Sequence, residues 1–187
     1  MMLLNTCQQM DRFGLQIIQN TITPLMVVKK IEYILLHVFW ITSSTNLKKI
    51  FISSDHAGFK LKEAIKKYLK SKKLNLRDLG PVNDNSVDYP DYAHKLAKKV
   101  KISKNNVGIL VCGSGTGMNI AANKHKNIRA AQCFNAKSTK LSRLHNDANI
   151  ITLGSRLISK KNAFKFVRIF LNTKFDGGRH LRRIKKI

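Results

Sequence analysis

The sequence predicts a doubly wound, Rossmann-like α/β fold, a three-layer α/β/α sandwich on a five-stranded parallel sheet, and three observations predict it. From Lys48 onward, short β-branched runs alternate with amphipathic stretches, the pattern of βαβ units. The apolar run that ends at Cys112 passes directly into a glycine-rich turn and a helix start. The chain of 187 residues, 43% apolar, is long enough for one real core and too short for two large domains.

The strands expected in order are Lys49 to Ser53, Leu74 to Leu79, Val107 to Val111, Ile128 to Cys133 and Ile150 to Leu153. Between the first two, Lys60 to Ser71 places Leu61, Ala64, Ile65, Tyr68 and Leu69 on one helical stripe. Asp88-Tyr89-Pro90 opens a second helix, with Asp88 or Tyr89 at the cap and Pro90 fixing φ in the first turn. Met118 to Lys124, Ser138 to His145 and Lys160 to Leu171 supply the remaining helices, and Gly177-Gly178 breaks the chain before a basic terminal segment. Residues 47–187 form this domain. Residues 1–46 show no strand and helix alternation and are expected to be a poorly ordered or non-native extension.

Composition narrows the classes. The net charge of +25 suggests affinity for polyanions or anionic small molecules. Most of it is lysine, however, scattered in pairs (Lys66-Lys67, Lys72-Lys73, Lys98-Lys99, Lys160-Lys161) on the expected solvent faces of helices. A polyanion-binding module calls for clustered arginine with exposed aromatics, so no nucleic-acid partner is expected. The run Ile31 to Ile41 is 11 residues long and contains Glu32 and His37, whereas a membrane span needs roughly 20 apolar residues. Lys29-Lys30 precede it and Ser43-Ser44 follow, but they lie far from Met1 and no A-x-A site is present, so neither membrane nor export is expected. Cys7, Cys112 and Cys133 have no pairing pattern or CxxC spacing, which argues against zinc and disulfides and for a reducing, cytoplasmic location.

In a doubly wound sheet ligands bind at the carboxyl ends of the strands where strand order reverses. If strands 1 and 3 are neighbours there, the loops that meet are Ser54 to Gly58 and Cys112 to Gly117. The backbone N–H groups of Gly113, Ser114, Gly115, Thr116 and Gly117 would converge on one point and hold a phosphate or a developing oxyanion. The turn lacks the Lys and Ser/Thr ending of a Walker loop and the GxGxxG spacing of dinucleotide sites. Cys112 precedes this nest and is either a buried structural thiol or a thiolate base favoured by oriented amides and cationic neighbours. Cys133 has no such loop and is expected in the core. Asp55 and His56 close strand 1 and could orient hydroxyls or a phosphate, although Asp55 could equally cap the next helix. His145 and Asn146 end the fourth helix, while His94 and His125 have lysine neighbours and look like solvated surface. Arg156 follows strand 5 on the same edge as the loops, and Arg179, Arg182 and Arg183 follow the glycine pair; arginine suits bidentate phosphate contacts. The set describes a phosphorylated, proton-transferring substrate better than a polymer.

The segments SSDHAGFKLK, DYPDYA, VCGSGTGMNIAANK, RLHNDANIITLGSR and FDGGRH resemble type B ribose-5-phosphate isomerase, in order, over about residues 48–187. The resemblance implies reversible conversion of ribose 5-phosphate and ribulose 5-phosphate through an enediolate, in the non-oxidative pentose phosphate pathway, without metal or organic cofactor. It implies that Cys112 shuttles the proton between C2 and C1 and that His145 opens the furanose ring. Gly113 to Gly117, with Ser114, would stabilise the enediolate. Asp55 and Asn146 would hold hydroxyls, Tyr89 would line the pocket, and His56, Arg156, Arg179 and Arg183 would surround the phosphate. It also implies a homodimer or homotetramer whose pockets are completed across the interface. Galactose-6-phosphate isomerase subunits share the pattern, but one of them lacks parts of the catalytic set, and here thiol, imidazole and arginines coexist. The extension at residues 1–46 has no counterpart in the family.

Overall fold

The computed structural model describes residues 48–187. The extension expected at residues 1–46, with Cys7, His37 and the apolar run from Ile31, lies outside the described residues.

The elements are β1 (Lys49–Ser54), α1 (Phe59–Ser71), β2 (Leu76–Asp78), α2 (Tyr89–Val100), β3 (Asn106–Cys112), α3 (Thr116–Ala122), β4 (Ala130–Gln132), α4 (Ala136–Asn146), β5 (Ile150–Gly154), α5 (Lys160–Asn172) and α6 (Gly178–Ile184). All strands pair in parallel in the order β2-β1-β3-β5-β4, so strand order reverses between β1 and β3, as expected.

Successive strand residues point to opposite faces, and this divides the core in two. Ile50, Ile52, Ile109, Val111, Ile151 and Leu153 meet Ile65 and Leu69 of α1 and Phe166, Val167 and Phe170 of α5. Phe51, Leu110, Cys112 and Ile150 meet Leu96, Ala97 and Val100 of α2 and Met118 and Ala122 of α3. Covered on both faces, β3 is buried along its whole length, which is why its sequence reads as a continuous apolar run. Each fully buried Leu, Ile or Phe contributes about 1.5 to 3 kcal/mol.

Several local expectations change. The edge strands β2 and β4 are three residues each, shorter than the runs that suggested them, because each is paired on one side only. The terminal segment is not merely a break: Gly177 and Gly178, at φ 67° and 50°, turn the chain into helix α6. Lys66 is not a solvated partner of Lys67; its ammonium lies 2.6 Å from Glu63 and 2.8 Å from Asp78. Beside it, Lys62 is completely buried. His94 and His125 are not freely solvated either, since Nδ1 of one lies 2.9 Å from Nε2 of the other. Cys133 is buried as expected, and desolvation pushes its thiol up despite opposing hydrogen bonds from Thr139 and Ser142. Among the described residues no helix is long and apolar enough to cross a membrane.

Candidate functional site

Three loops converge at the carboxyl edge of the sheet. The amide of Asp55 donates to Val111 O at 3.2 Å, the amide of Ser155 to Cys112 O at 2.8 Å, and the amide of Arg156 to Gly113 O at 3.0 Å. Ser155 also donates its hydroxyl to Ala57 O at 2.9 Å, joining the loop after β5 to the loop after β1 across the end of β3.

The glycine-rich turn is shaped by two requirements. Gly115 has φ 85°, in the left-handed region that side chains disfavour, and its N–H points at the Cys112 sulfur, with N to Sγ at 3.0 Å. A Cβ on Gly117 would fall 2.7 Å from the Tyr89 ring, so the aromatic side chain that opens α2 packs directly on the first turn of α3. On the other flank the Arg156 guanidinium passes over Gly113, 3.4 Å from where a Cβ would sit. Ser114 takes a bond from the Thr116 amide at 3.3 Å, and Gln132 holds the turn from β4, donating to Ser114 O at 2.9 Å. Cys112 is 5% exposed, so its thiol lies beneath this turn.

Asp55 does not cap α1, whose cap is Gly58 with no side-chain bond; its Oδ1 instead accepts from the Gly58 amide at 2.7 Å and closes the turn before the helix. Its carboxylate is therefore fixed beside the nest. His56 is exposed, with ring Nδ1 3.3 Å from both the N–H and the C=O of Val87. Asp55, His56, Tyr89, Cys112, Gly113 to Gly117 and Arg156 thus gather at one edge.

His145, Asn146, Arg179 and Arg183 do not join them. Asn146 O and Asp147 O accept from the Arg129 side chain at 2.8 Å, which levels the end of α4 with the residue just before β4. Asp147, at φ 43°, is clamped by Arg129 at 2.7 Å and Arg143 at 2.9 Å. The Asp176 amide donates to Leu144 O at 3.1 Å and brings α6 alongside. The His180 ring stacks on His145, with centroids 4.3 Å apart and planes within 7°. Desolvation, then the charges of His145, Arg179 and Arg183, hold the His180 imidazole below its ordinary value, against a weaker pull from Asp176. This second group sits at the amino edge. In the β3–β5 register Cys112 faces Gly154 and Gly108 faces Ile150, a spacing of four residues or about 13 Å along the strands. His145 precedes Ile150, so the imidazole and the thiol of one chain are held at opposite edges of the sheet. One chain therefore carries the expected site residues in two separate groups.

Three contributors have no sequence signal of their own: Ser155 and Gln132, which fix the nest through backbone contacts, and His180, visible only as the last residue of FDGGRH. Among the described residues no group of three or more His, Cys, Asp or Glu could hold a metal ion.

Comparison with known proteins shows the family and the fold. Residues 50–187 match the family described as Ribose/Galactose Isomerase. Ribose-5-phosphate isomerase B of Escherichia coli (strain K12) is 40% identical over 141 residues, covering 75% of this chain and 95% of its own. The solved ribose 5-phosphate isomerase of Thermotoga maritima is 51% identical, with a TM-score of 0.72 over 74% of this chain and 95% of that one. Ribose-5-phosphate isomerase B from Mycoplasma genitalium, solved with bound ribulose-5-phosphate, is 46% identical, with a TM-score of 0.71 over 74% and 92% of the two chains.

Proposed function

We propose that this chain, which belongs to the ribose/galactose isomerase family, interconverts ribose 5-phosphate and ribulose 5-phosphate in a site assembled from two copies of itself. The observation that carries the chemistry is the Cys112 sulfur at the end of β3, 3.0 Å from the Gly115 amide and under a turn of further amides.

The thiolate of Cys112 takes the C2 proton of the open-chain aldose. The electron pair left on C2 moves into an enediolate, whose charge the amides of Gly113 to Gly117 and the Ser114 hydroxyl stabilise. The sulfur returns the proton to C1 while the hydroxyl proton passes from O2 to O1, which leaves the ketose. Preorganised amides act only as charge develops, and each such donor is worth about 10² to 10³ in rate. The base adds about 10² to 10⁴. His145 of the second copy opens the furanose by moving a proton at the ring oxygen. Asp55 and the second copy's Asn146 hold hydroxyls, Tyr89 walls the pocket, and His56 and Arg156 meet Arg179 and Arg183 of the second copy around the phosphate. A homodimer is the smallest assembly that brings the two half-sites together, and exposed Phe134 and Leu157 beside the carboxyl edge suit such a contact. The reaction belongs to the non-oxidative pentose phosphate pathway, in the cytoplasm, and calls on no cofactor.

A coupled isomerase assay on purified protein tests this. Cys112→Ala is expected to lose activity with both sugars. His145→Ala is expected to lose activity on cyclic ribose 5-phosphate and retain it on ribulose 5-phosphate, which is already open. Equal damage in both directions would remove ring opening from His145, and full activity of Cys112→Ala would remove the mechanism.

A further inference from the structure

The most deeply buried charge in the described domain belongs to a residue with no part in the chemistry above. Lys62 of α1 is 0% exposed, yet its ammonium is fully engaged. It donates to Asp78 at 3.1 and 3.2 Å and to the carbonyl of Pro81 at 2.6 Å, and Glu63 lies 3.2 Å away. A buried lysine persists only when its donors are matched, and here they are matched by the end of β2 and the start of the following loop. That start is fastened again: Gly80 donates to Asp78 at 2.9 Å, and its carbonyl accepts from the Ser53 hydroxyl at 3.0 Å and the Ser54 amide at 3.1 Å.

The same loop runs on to Val87, whose backbone meets the His56 ring at 3.3 Å, and to Tyr89, whose ring rests on Gly117. Between Pro81 and Val87 the residues Val82 to Ser86 are exposed, and the only side-chain bond among them is a local one from the Asn85 amide to the Asn83 side-chain oxygen at 3.2 Å. The course of the loop over the site is therefore set chiefly at its two ends, and Lys62 holds the first.

We propose that Lys62 is a positioning residue for substrate binding: from inside the core it fixes the start of the 80–88 loop, and so the placement of His56 and Tyr89 against the nest. The proposal deepens the isomerase assignment and rests on it for its kinetic part. The bonds of the Lys62 ammonium go to Asp78, Pro81 and Glu63 and none reaches β3 or α3, on which Cys112 and the turn stand, so the loss falls on binding and spares the proton transfer.

Lys62→Met fills the same volume without donors. In the full-length protein it is expected to raise KM for ribose 5-phosphate about tenfold with kcat within twofold, since Asp78 keeps Lys66 and Gly80 while Pro81 O loses its donor. Lys62→Arg, which restores a buried cation and donors, is expected to recover part of the loss. Asp78→Asn attacks the same latch from β2 and is expected to raise KM in the same direction, so a poorly folding Lys62→Met leaves the test intact. Lys66→Met, which spares the Pro81 contact, is expected to leave KM within twofold. A binding-independent readout follows the Val87 amide, whose N–H donates to the His56 ring, by ¹H–¹⁵N NMR: its resonance in Lys62→Met should move away from the parent position. A folded Lys62→Met with unchanged KM and an unchanged Val87 amide resonance would overturn the proposal. An inactive parent whose Val87 amide resonance still moves in Lys62→Met would instead leave Lys62 as the loop's anchor and remove the isomerase assignment.

Discussion

Replacing Gly115 by alanine separates the role of the amide nest from the stability of the fold. The residue stands at φ 85°, where an L side chain is disfavoured by about 1 to 2 kcal/mol. The new Cβ would lie 3.1 Å from both Gly154 N and Leu153 C, backbone atoms of β5 that can give only a few tenths of an ångström. Relieving the contact rotates the peptide that carries the N–H aimed at Cys112. The expected destabilisation is about 2 to 3 kcal/mol, a fraction of the roughly 5 to 15 kcal/mol by which a domain is held, so the variant should fold. The activity should fall much further. With the amide displaced from sulfur and from the developing oxyanion, kcat for ribose 5-phosphate should drop about 100-fold or more, with KM changed by less than about threefold. Urea unfolding gives the first quantity and steady-state kinetics the second. A folded Gly115→Ala enzyme with kcat within threefold of the parent would refute the idea that this turn stabilises the transition state.

Arg143→Met tests the amino-edge half-site. The buried guanidinium binds Asp147 at 2.9 Å and the carbonyls of Ala148 and Thr173, and it lies over Phe170, so its removal should destabilise the domain by about 3 kcal/mol in urea unfolding. The Lys62–Lys66–Glu63–Asp78 cluster predicts a pH dependence. Burial pushes the Asp78 carboxyl up, but hydrogen bonds from Lys66, the Gly80 amide and Lys62 outweigh it and hold the group below its ordinary 3.8. Glu63 is likewise held below 4.5, desolvation being outweighed by Lys66 and Lys62. The folded values being depressed, this stability is fully present above the unfolded carboxylate values and is lost as pH falls through the folded ones. Urea midpoints should therefore decline below about pH 4, and Asp78→Asn should flatten that decline. An unchanged slope would show that Asp78 is not held by the cluster.

Much of the fold was legible because burial wrote it into the pattern. A parallel strand covered on both faces needs an unbroken apolar run, and Val107 to Val111 supplies one; α5 shows its buried stripe as Ala163, Phe166, Val167 and Phe170. The turn was legible because an apolar run that ends at Cys112 passes straight into Gly-Ser-Gly-Thr-Gly and a helix start, a pattern that turns backbone amides toward one point. Lys62 escaped because periodicity scores a lysine as surface, and only the position of Asp78, 16 residues away, makes its burial tolerable. The helix α6 escaped because a glycine pair signals a break and seven residues carry little periodicity. The separation of His145 from Cys112 had a signal, since a residue just before β5 stands at the sheet's amino edge and a residue ending β3 stands at the other. Counting which edge each loop occupies would have split the site before any coordinates.

The two-chain site is tested most directly by mixing inactive enzymes. Cys112→Ala and His145→Ala chains, each inactive on ribose 5-phosphate, are unfolded together in equal amounts and refolded. Random pairing gives about half heterodimers, and each holds one site with both residues intact and one with neither. Recovery of about one quarter of the parent activity is the expected result. If the mixture stays as inactive as its components while heterodimers are demonstrably present, the thiol and the imidazole do not act across two copies, and the proposed site is wrong.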